Sequence, residues 1–193
     1  MKKIGLLFGL LLLLTACQQT ADIQYPTSYM IEQENIIDYQ PGLECSAFAS
    51  SYLLRHDGED IRGMALFEEM PDKLENGNGV YPTGIIKLFQ QRGYTAELKQ
   101  DASIAELKQE ISLGSPVIVY IHADVDAPSP YYTHYVPLIG YDEEYFYFAE
   151  SLEYKANSKE ASPYNRKTDV QTFEKLWSNV EGYYEHPYFK IRK

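Results

Sequence analysis

The spacing of apolar residues changes once along the chain, near residue 116, and this change constrains the fold most. Before it, apolar side chains recur at helical spacing in four stretches, which are residues 44–56, 59–70, 82–93 and 104–112. After it come dense runs of β-branched and aromatic residues at 116–122, 134–141 and 144–149. Helices first and strands later predict an α+β fold, with N-terminal helices packed on a C-terminal antiparallel β-sheet.

The rest of the second half carries weaker patterns. Residues 150–168 have no clear period and are expected to be irregular. Residues 170–178 indicate a short helix, and residues 183–191 indicate a last strand. The sequence has no internal repeat and no low-complexity stretch, so it predicts a single domain over 36–193.

The first 17 residues are organised like an export signal. Lys2 and Lys3 precede the apolar run 4–14, and small residues then lead to Cys17. This order of charge, apolar run and small-residue cleavage site is typical of a secretory signal peptide, here over 1–16. The apolar run is shorter than the roughly 20 residues that a membrane-spanning helix needs.

The cysteine that follows the small residues resembles the one in the bacterial lipobox. In that motif the residue matching Cys17 is lipidated and becomes the first residue of the mature protein. The resemblance implies a lipid anchor that holds the protein to the extracytoplasmic face of the cell membrane. The polar residues 17–35 are then expected to form a lipidated tether. The alternative is a plain secretory signal with a chance cysteine.

The charge of the chain limits its partners. Its formal net charge is −11, and removal of residues 1–16 takes away two lysines and no acids, which leaves −13. A chain this acidic is repelled by the phosphates of nucleic acids, and no basic cluster offsets that repulsion. We therefore expect no nucleic acid partner.

Cysteine usage singles out one thiol. The sequence has two cysteines, so Cys45 is the one free thiol if Cys17 is acylated. A leftover cysteine in an exported protein is either buried and inert or reactive. Cys45 follows a turn signal at residues 40–42 and begins a predicted helix. The positive end of a helix favours a thiolate nucleophile, although Glu44 beside it works against this effect.

Two other side chains could act with this thiol. The amide of Gln40, five residues before Cys45, could donate a hydrogen bond to a developing oxyanion. His134 begins a predicted strand, where its imidazole could face the helix end and take the thiol proton. Each residue alone has a common structural explanation, on the surface for the glutamine and in packing for the histidine. Together with one free thiol they predict nucleophilic chemistry.

With these residues in view, the chain resembles the bacterial C39-like cysteine peptidases, a branch of the papain-like fold. Residues 40–47 resemble the family's Q-x4-C box, and residues 79–94 resemble its middle helix with the following Gly-Tyr. Residues 113–119 resemble its G-x-P-V-I-V strand, and residues 134–142 resemble its H-x-V-x-L-x-G-Y-D strand. The order and spacing hold over about 36–180.

The resemblance implies a role for each of these residues. Cys45 matches the nucleophile, His134 the general base and Gln40 the oxyanion donor. The family's third catalytic residue is usually an Asp about sixteen positions after the histidine, followed by Pro. This sequence has Glu150, one methylene longer, followed by Ser151. The alternatives for the third role are Asn157, Asn165 and Ser151.

The implied reaction is hydrolysis of a peptide or amide bond through an acyl-enzyme on Cys45, in a monomer without a cofactor. Two alternatives stay open. The Glu in place of Asp allows a catalytically inactive binding module, whose tyrosine-rich segments 131–147 and 183–188 would hold a peptide or a glycan. An amine instead of water could also resolve the thioester, which would make the reaction a transfer.

Two other functions find little support in the sequence. The branch of the family that cuts leader peptides is fused to an ABC transporter, whereas this sequence has no P-loop motif. It is more similar to the stand-alone extracytoplasmic branch. His122 lies near Asp124 and Asp126, but no second histidine follows at a spacing typical of metal ligands, so no metal site is expected.

Overall fold

The computed structural model describes residues 24–75, 77, 79–158 and 163–193. The predicted signal peptide, residues 1–16, and the predicted lipidation site Cys17 lie outside the described residues. Within the described part of the chain, no helix has both the length and the apolar character that crossing a bilayer requires.

The described residues form helices and strands in the order that the sequence predicts, with three additional strands. The helices are α1 (Cys45–His56), α2 (Gly63–Glu69), α3 (Pro82–Gln91), α4 (Ile104–Ser112) and α5 (Val170–Trp177). The strands are β1 (Tyr29–Met30), β2 (Thr95–Lys99), β3 (Val117–His122), β4 (Thr133–Tyr141), β5 (Tyr145–Phe148), β6 (Arg166–Asp169) and β7 (Tyr188–Arg192). A short 3-10 helix spans Glu153–Lys155.

The strands form one antiparallel sheet in the order β2-β7-β3-β4-β5-β6, and β1 adds to β4. The pairing of β3 with β4 places His134 opposite Ile121, and helix α1 packs on these two strands. The start of β4 and the start of α1 therefore come together, although His134 and Cys45 are 89 positions apart in the sequence. The predicted α+β class with an antiparallel sheet is confirmed.

Helices cover both faces of the sheet. Ile118 and Tyr120 of β3 belong to a buried cluster with α1, α2 and α3, whereas Val119 and Ile121 belong to a second cluster with α4 and α5. This alternation follows from the period of two in a strand. A strand buried on both faces is apolar throughout, which explains the unbroken run of apolar residues in β3.

Two of the three additional strands lie at the edges of the sheet. Strand β2 had no assignment from the sequence, and β6 falls in residues 150–168, which the sequence predicts to be irregular. Both strands are mainly polar, with the sequences TAELK and RKTD. An edge strand needs few apolar residues, because main-chain pairing with its one neighbour holds it in place. Apolar spacing therefore gives no signal for these strands.

The third additional strand, β1, lies within residues 17–35, which the sequence predicts to be a tether. The main-chain N of Ile31 donates to the carbonyl of Ile139 at 2.9 Å, and Met30 lies opposite Gly140. A Cβ at Gly140 would lie 2.8 Å from the main-chain carbonyl oxygen of Tyr29, so glycine allows β1 to approach this closely. The folded domain therefore begins earlier than the predicted boundary. Apolar spacing gives no sign of this strand, because Ile31 is the one buried residue within the described range 24–35.

Candidate active site

Cys45 is the first residue of α1, and the turn before it is fixed by a local bond. The carboxylate of Glu44 accepts a hydrogen bond from the main-chain N–H of Gly42 at 2.9 Å. Glu44 makes no side-chain cap on the helix. The first N–H groups of a helix have no partner inside it, so partial positive charge concentrates beside the Cys45 thiol. The cysteine is 9% exposed, at the wall of a cleft.

His134 is the second residue of β4, and its ring contacts two of the predicted site residues. Its Nε2 lies 2.8 Å from Oε1 of Glu150. The thiol of Cys45 lies close enough to this ring to raise the pKa of the imidazole. Because Nε2 faces the carboxylate, Nδ1 is the ring nitrogen left for the thiol. The structure thus brings together three residues that the sequence predicts to act as one unit.

Glu150 follows β5, is fully buried, and uses both carboxylate oxygens. Oε1 also accepts from the main-chain N–H of Leu152 at 2.8 Å, and Oε2 accepts from Nη1 of Arg166 at 2.7 Å. Asn165 holds the main chain of Glu150 through two bonds, in which it accepts from the N–H at 2.7 Å and donates to the carbonyl at 2.8 Å. A buried carboxylate needs such partners, and here they also fix its orientation toward His134.

The environment moves the pKa values of His134 and Glu150 in opposite directions. Burial by itself lowers the pKa of His134, but the Glu150 carboxylate and the Cys45 thiol outweigh it and raise that pKa to about 9. Burial by itself raises the pKa of Glu150, but His134 and Arg166 outweigh it and lower that pKa to about 2. Both shifts favour the charged forms of the pair, an imidazolium and a carboxylate.

Gln40 lies at the edge of the cleft and is tied to the segment that follows Glu150. Its main-chain N–H donates to the carbonyl of Ser151 at 2.9 Å, and its Oε1 accepts from the Ser151 hydroxyl at 2.6 Å. Its Nε2 donates to the carbonyl of Gly42 at 2.6 Å. A side-chain amide has two N–H groups. The second one has no partner among the described residues and is left for a ligand in the cleft.

The three alternatives for the third role bond elsewhere. The Ser151 hydroxyl donates to Gln40, and Asn165 holds the main chain of Glu150. Asn157 makes both of its side-chain bonds to the main chain of Lys167, at 2.8 and 2.9 Å. Glu150 is the side chain that reaches the ring of His134.

Sequence analysis missed Arg166, which neutralises Glu150 from the first position of β6. An arginine in a polar segment looks like any surface residue. The pairing of Arg166 with Phe148 carries it into the protein, where its guanidinium lies over the Phe148 ring at 5.1 Å. The one sequence signal for this contact is the spacing of sixteen residues between Glu150 and Arg166. That spacing is long enough for the chain to turn back and pair one strand with the next.

A cleft of about 990 Å³ opens beside the thiol. Gln40, Cys45 and His134 line it together with eight tyrosines. Its volume is at the upper end of the range for ligand pockets, about 300–1,000 Å³. Across the described ranges, no group of three or more His, Cys, Asp or Glu side chains is placed to hold a metal ion.

Solved structures with this fold include three proteins of low sequence identity. One from Bacillus anthracis, described as a C39-like peptidase, is 20% identical with a TM-score of 0.65, over 87% of this chain and 98% of the other. A double-glycine-motif protease from an AMS/PCAT transporter, in complex with its leader peptide, is 13% identical with a TM-score of 0.56, over 88% and 98%. The peptidase domain of Streptococcus ComA, a bifunctional ABC transporter of a quorum-sensing pathway, is 12% identical with a TM-score of 0.50, over 84% and 96%.

Sequence comparison gives the family directly. No curated protein matches the chain. The family model described as the Peptidase_C39 like family matches residues 29–185, which include β1 and the whole candidate site. The resemblance drawn from the motifs is thereby confirmed as to family and papain-like fold. The chain belongs to the C39-like peptidase family.

Proposed function

We propose that this protein is a cysteine peptidase, or a closely related amide hydrolase, with Cys45 as its nucleophile. The observation that carries the proposal is the 2.8 Å contact between His134 and Glu150, in a pair whose imidazole lines the same cleft as the thiol at the start of α1. Membership of the C39-like peptidase family supports a peptidase-type reaction. Two solved structures with this fold are peptidases of transporters, and one of them holds a leader peptide.

The proposed reaction has two steps. The Cys45 thiolate attacks the carbonyl carbon of a peptide bond, and the His134 imidazolium gives its proton to the nitrogen as the C–N bond breaks. This leaves a thioester on Cys45 and a neutral imidazole. That imidazole then takes a proton from water, whose oxygen attacks the thioester, and the C–S bond breaks to return the thiolate and the imidazolium. Glu150 keeps the ring oriented and stabilises its charged form in both steps.

The developing oxyanion needs donors near the thiol. The main-chain N–H at the start of α1 is one, because the first N–H groups of a helix lack partners inside the helix. The second N–H of the Gln40 amide is the other, held at the cleft edge by the bonds to Ser151 and Gly42. Such a donor is worth about 10²–10³ in rate in other enzymes.

Covalent labelling tests the proposed reactivity. We expect Cys45 to react with iodoacetamide or an E-64-type epoxide at pH 6–8, at a rate about 10²-fold or more above that in His134→Ala, because the imidazolium stabilises the thiolate. Intact-mass spectrometry of the fragment 18–193 measures both rates. Equal and slow labelling of the two proteins would favour the inactive binding module. An active enzyme that releases amine-bound products instead of acids would favour transfer.

We further propose that a lipid on Cys17 anchors the protein to the extracytoplasmic face of the cell membrane. The support is the sequence, in which two lysines, an apolar run and small residues precede this cysteine. Cys17→Ser is expected to move the protein from the detergent phase to the aqueous phase in a partitioning assay, because a diacylated cysteine supplies strong apolar anchoring. Equal partitioning of both forms would refute the anchor and leave the peptidase proposal intact.

A further inference from the structure

A carboxylate without a cationic partner faces the cleft from the wall beside β3. Glu181 lies in the tight loop Val180–Tyr184, which two main-chain bonds close, at 2.7 Å from Val180 N to the Tyr184 carbonyl and at 2.9 Å in the reverse direction. Its φ of 54° is in the left-handed region, which residues with side chains seldom adopt. The loop holds this acid in one place, at the price of an unfavourable backbone conformation.

The carboxylate of Glu181 accepts its hydrogen bonds from neutral tyrosine hydroxyls. Oε1 accepts from the hydroxyl of Tyr120 at 2.5 Å, and Oε2 accepts from the hydroxyl of Tyr183 at 2.5 Å. Among the described residues, no Lys, Arg or His lies within ion-pair distance of this carboxylate. A carboxylate offers about four lone-pair sites, so two remain open after the tyrosine bonds.

Four tyrosine rings pack against one another beside the acid. Tyr120 stacks on Tyr135, with ring centroids 4.3 Å apart, and Tyr184 meets the Tyr120 ring edge-on at 5.8 Å. Tyr183 packs against Tyr184 at 4.3 Å. The faces of tyrosine rings attract cations, and the attraction grows where water is displaced. An acid beside such rings suits an ammonium or guanidinium group better than a neutral one.

The acid belongs to the same cleft as the candidate nucleophile. Glu181, Tyr120 and Tyr135 line the cleft together with Cys45. Burial raises the pKa of Tyr135 well above its ordinary value, and Tyr120, Cys45 and Glu181 each raise it further. Because the thiol and the acid line one cleft of about 990 Å³, a single bound peptide can contact both.

Acids outnumber unpaired cations in the rest of the cleft. Its described lining includes the acid Glu153 in addition to Glu181, and it includes no lysine and no arginine. The one cationic side chain in this lining, the imidazolium of His134, already has Glu150 as its partner. The formal net charge of the whole chain is −11. A predominantly negative cleft concentrates cationic ligands and speeds their association.

We propose that Glu181 forms a subsite for a lysine or arginine side chain of the peptide substrate. The carboxylate pairs with the cation, the hydroxyls of Tyr120 and Tyr183 hold the carboxylate in place, and the ring of Tyr184 covers the aliphatic stem. This inference rests on the proposed peptidase function, since it names the class of substrate that the same cleft selects. Glu181 contacts the substrate away from the reacting atoms and determines specificity.

Hydrolysis of matched peptides tests the subsite. The substrates are internally quenched peptides of one sequence, in which one position at a time is Lys, Arg, norleucine or Glu. At one position, kcat/KM for Lys or Arg is expected to exceed that for norleucine by about 10- to 100-fold. Glu181→Gln keeps the shape and removes the charge, so this ratio is expected to fall below about threefold. A ratio near one at every position in the parent, or an unchanged ratio in Glu181→Gln, would overturn the proposal.

Glu144→Gln provides the matched control. Glu144 is exposed in the turn between β4 and β5 and lies outside the cleft lining, so the variant makes the same change in net charge elsewhere. Its Lys-to-norleucine ratio should equal that of the parent. A fall as large as that in Glu181→Gln would assign the preference to overall charge and overturn the subsite.

A binding arm separates failure of the subsite from failure of the proposed function. The same peptides are titrated by calorimetry into Cys45→Ala, with and without Glu181→Gln. The lysine peptide is expected to bind about tenfold more tightly than the norleucine peptide, and this advantage should vanish with Glu181→Gln. If no peptide is hydrolysed but this difference holds, the peptidase proposal fails and the cationic subsite stands. Equal affinities for both peptides would overturn the subsite whatever the enzyme does.

Discussion

Replacing Cys45 with alanine is expected to lower kcat/KM for peptide hydrolysis by about 10⁴-fold or more, because loss of a nucleophile costs about 10⁶ in kcat in a well-studied hydrolase. The thiol is the group that forms the acyl-enzyme, and no other described cysteine can replace it. Fluorescence release from a quenched peptide measures the loss, and circular dichroism verifies that the variant is folded. The change removes one heavy atom, the sulfur, from a side chain at the wall of the cleft, so we expect little change in stability.

Ser50→Ala is the control for this prediction. Ser50 lies in the same helix, and its buried hydroxyl has no hydrogen-bond partner among the described residues. Removal of an unpaired buried hydroxyl should leave both folding and activity close to those of the parent. Residual hydrolysis in Cys45→Ala within tenfold of the parent would show that another group performs the reaction.

Replacing Glu150 with glutamine is expected to lower kcat by about 10²–10⁴-fold and to change the pH profile, because the equivalent change of Asp to Asn in a serine protease costs about 10⁴. The parent's activity should fall on the alkaline side as His134 loses its proton, near its pKa of about 9. Without the carboxylate, burial lowers the pKa of His134, so this alkaline limb should move to lower pH by at least about one unit. The profile of kcat/KM between pH 5 and 10 measures the shift.

Two features of the site set the controls for Glu150→Gln. Glu150→Gln leaves the buried guanidinium of Arg166 without its anionic partner. Removal of one member of a buried ion pair lowers the free energy of unfolding by about 3–5 kcal/mol. Rates must therefore be expressed per folded molecule. Glu150→Asp keeps the charge and restores the residue usual in this family, and its alkaline limb should stay closer to that of the parent. An alkaline limb that does not move in Glu150→Gln would mean that Glu150 does not set the protonation of His134.

Parts of the fold could be predicted from local sequence, because a helix or strand with a buried face has apolar residues at regular spacing. Regular apolar spacing is present in helices α1, α3, α4 and α5 and in strands β3, β4 and β5. The edge strands β2 and β6 lack it, and β1 is only two residues long. Pairing with a distant partner determines these strands, and the apolar spacing of one segment contains no information about its partner.

The candidate site likewise contains residues that local sequence predicts and residues that only the pairing of distant strands brings together. Cys45 and His134 are marked by their place at the start of a helix and of a strand, and both were predicted. The support of Glu150 by Arg166 and Asn165 depends on the pairing of β6 with β5, which the sequence did not reveal. In the proposed mechanism, that support holds a glutamate in the role for which the family usually has aspartate. Its carboxylate is held from both oxygens, so the longer side chain has a single orientation.

A direct titration of His134 tests the central claim, which is that its ring is a charged partner of both Cys45 and Glu150. Carbon and nitrogen shifts of the imidazole, assigned by their absence in His134→Ala, report its protonation between pH 5 and 10 by NMR. Our account predicts a ring that stays protonated at pH 7 and titrates near pH 9. A ring that is neutral at pH 7, with a pKa at or below its ordinary value of 6.5, would contradict it.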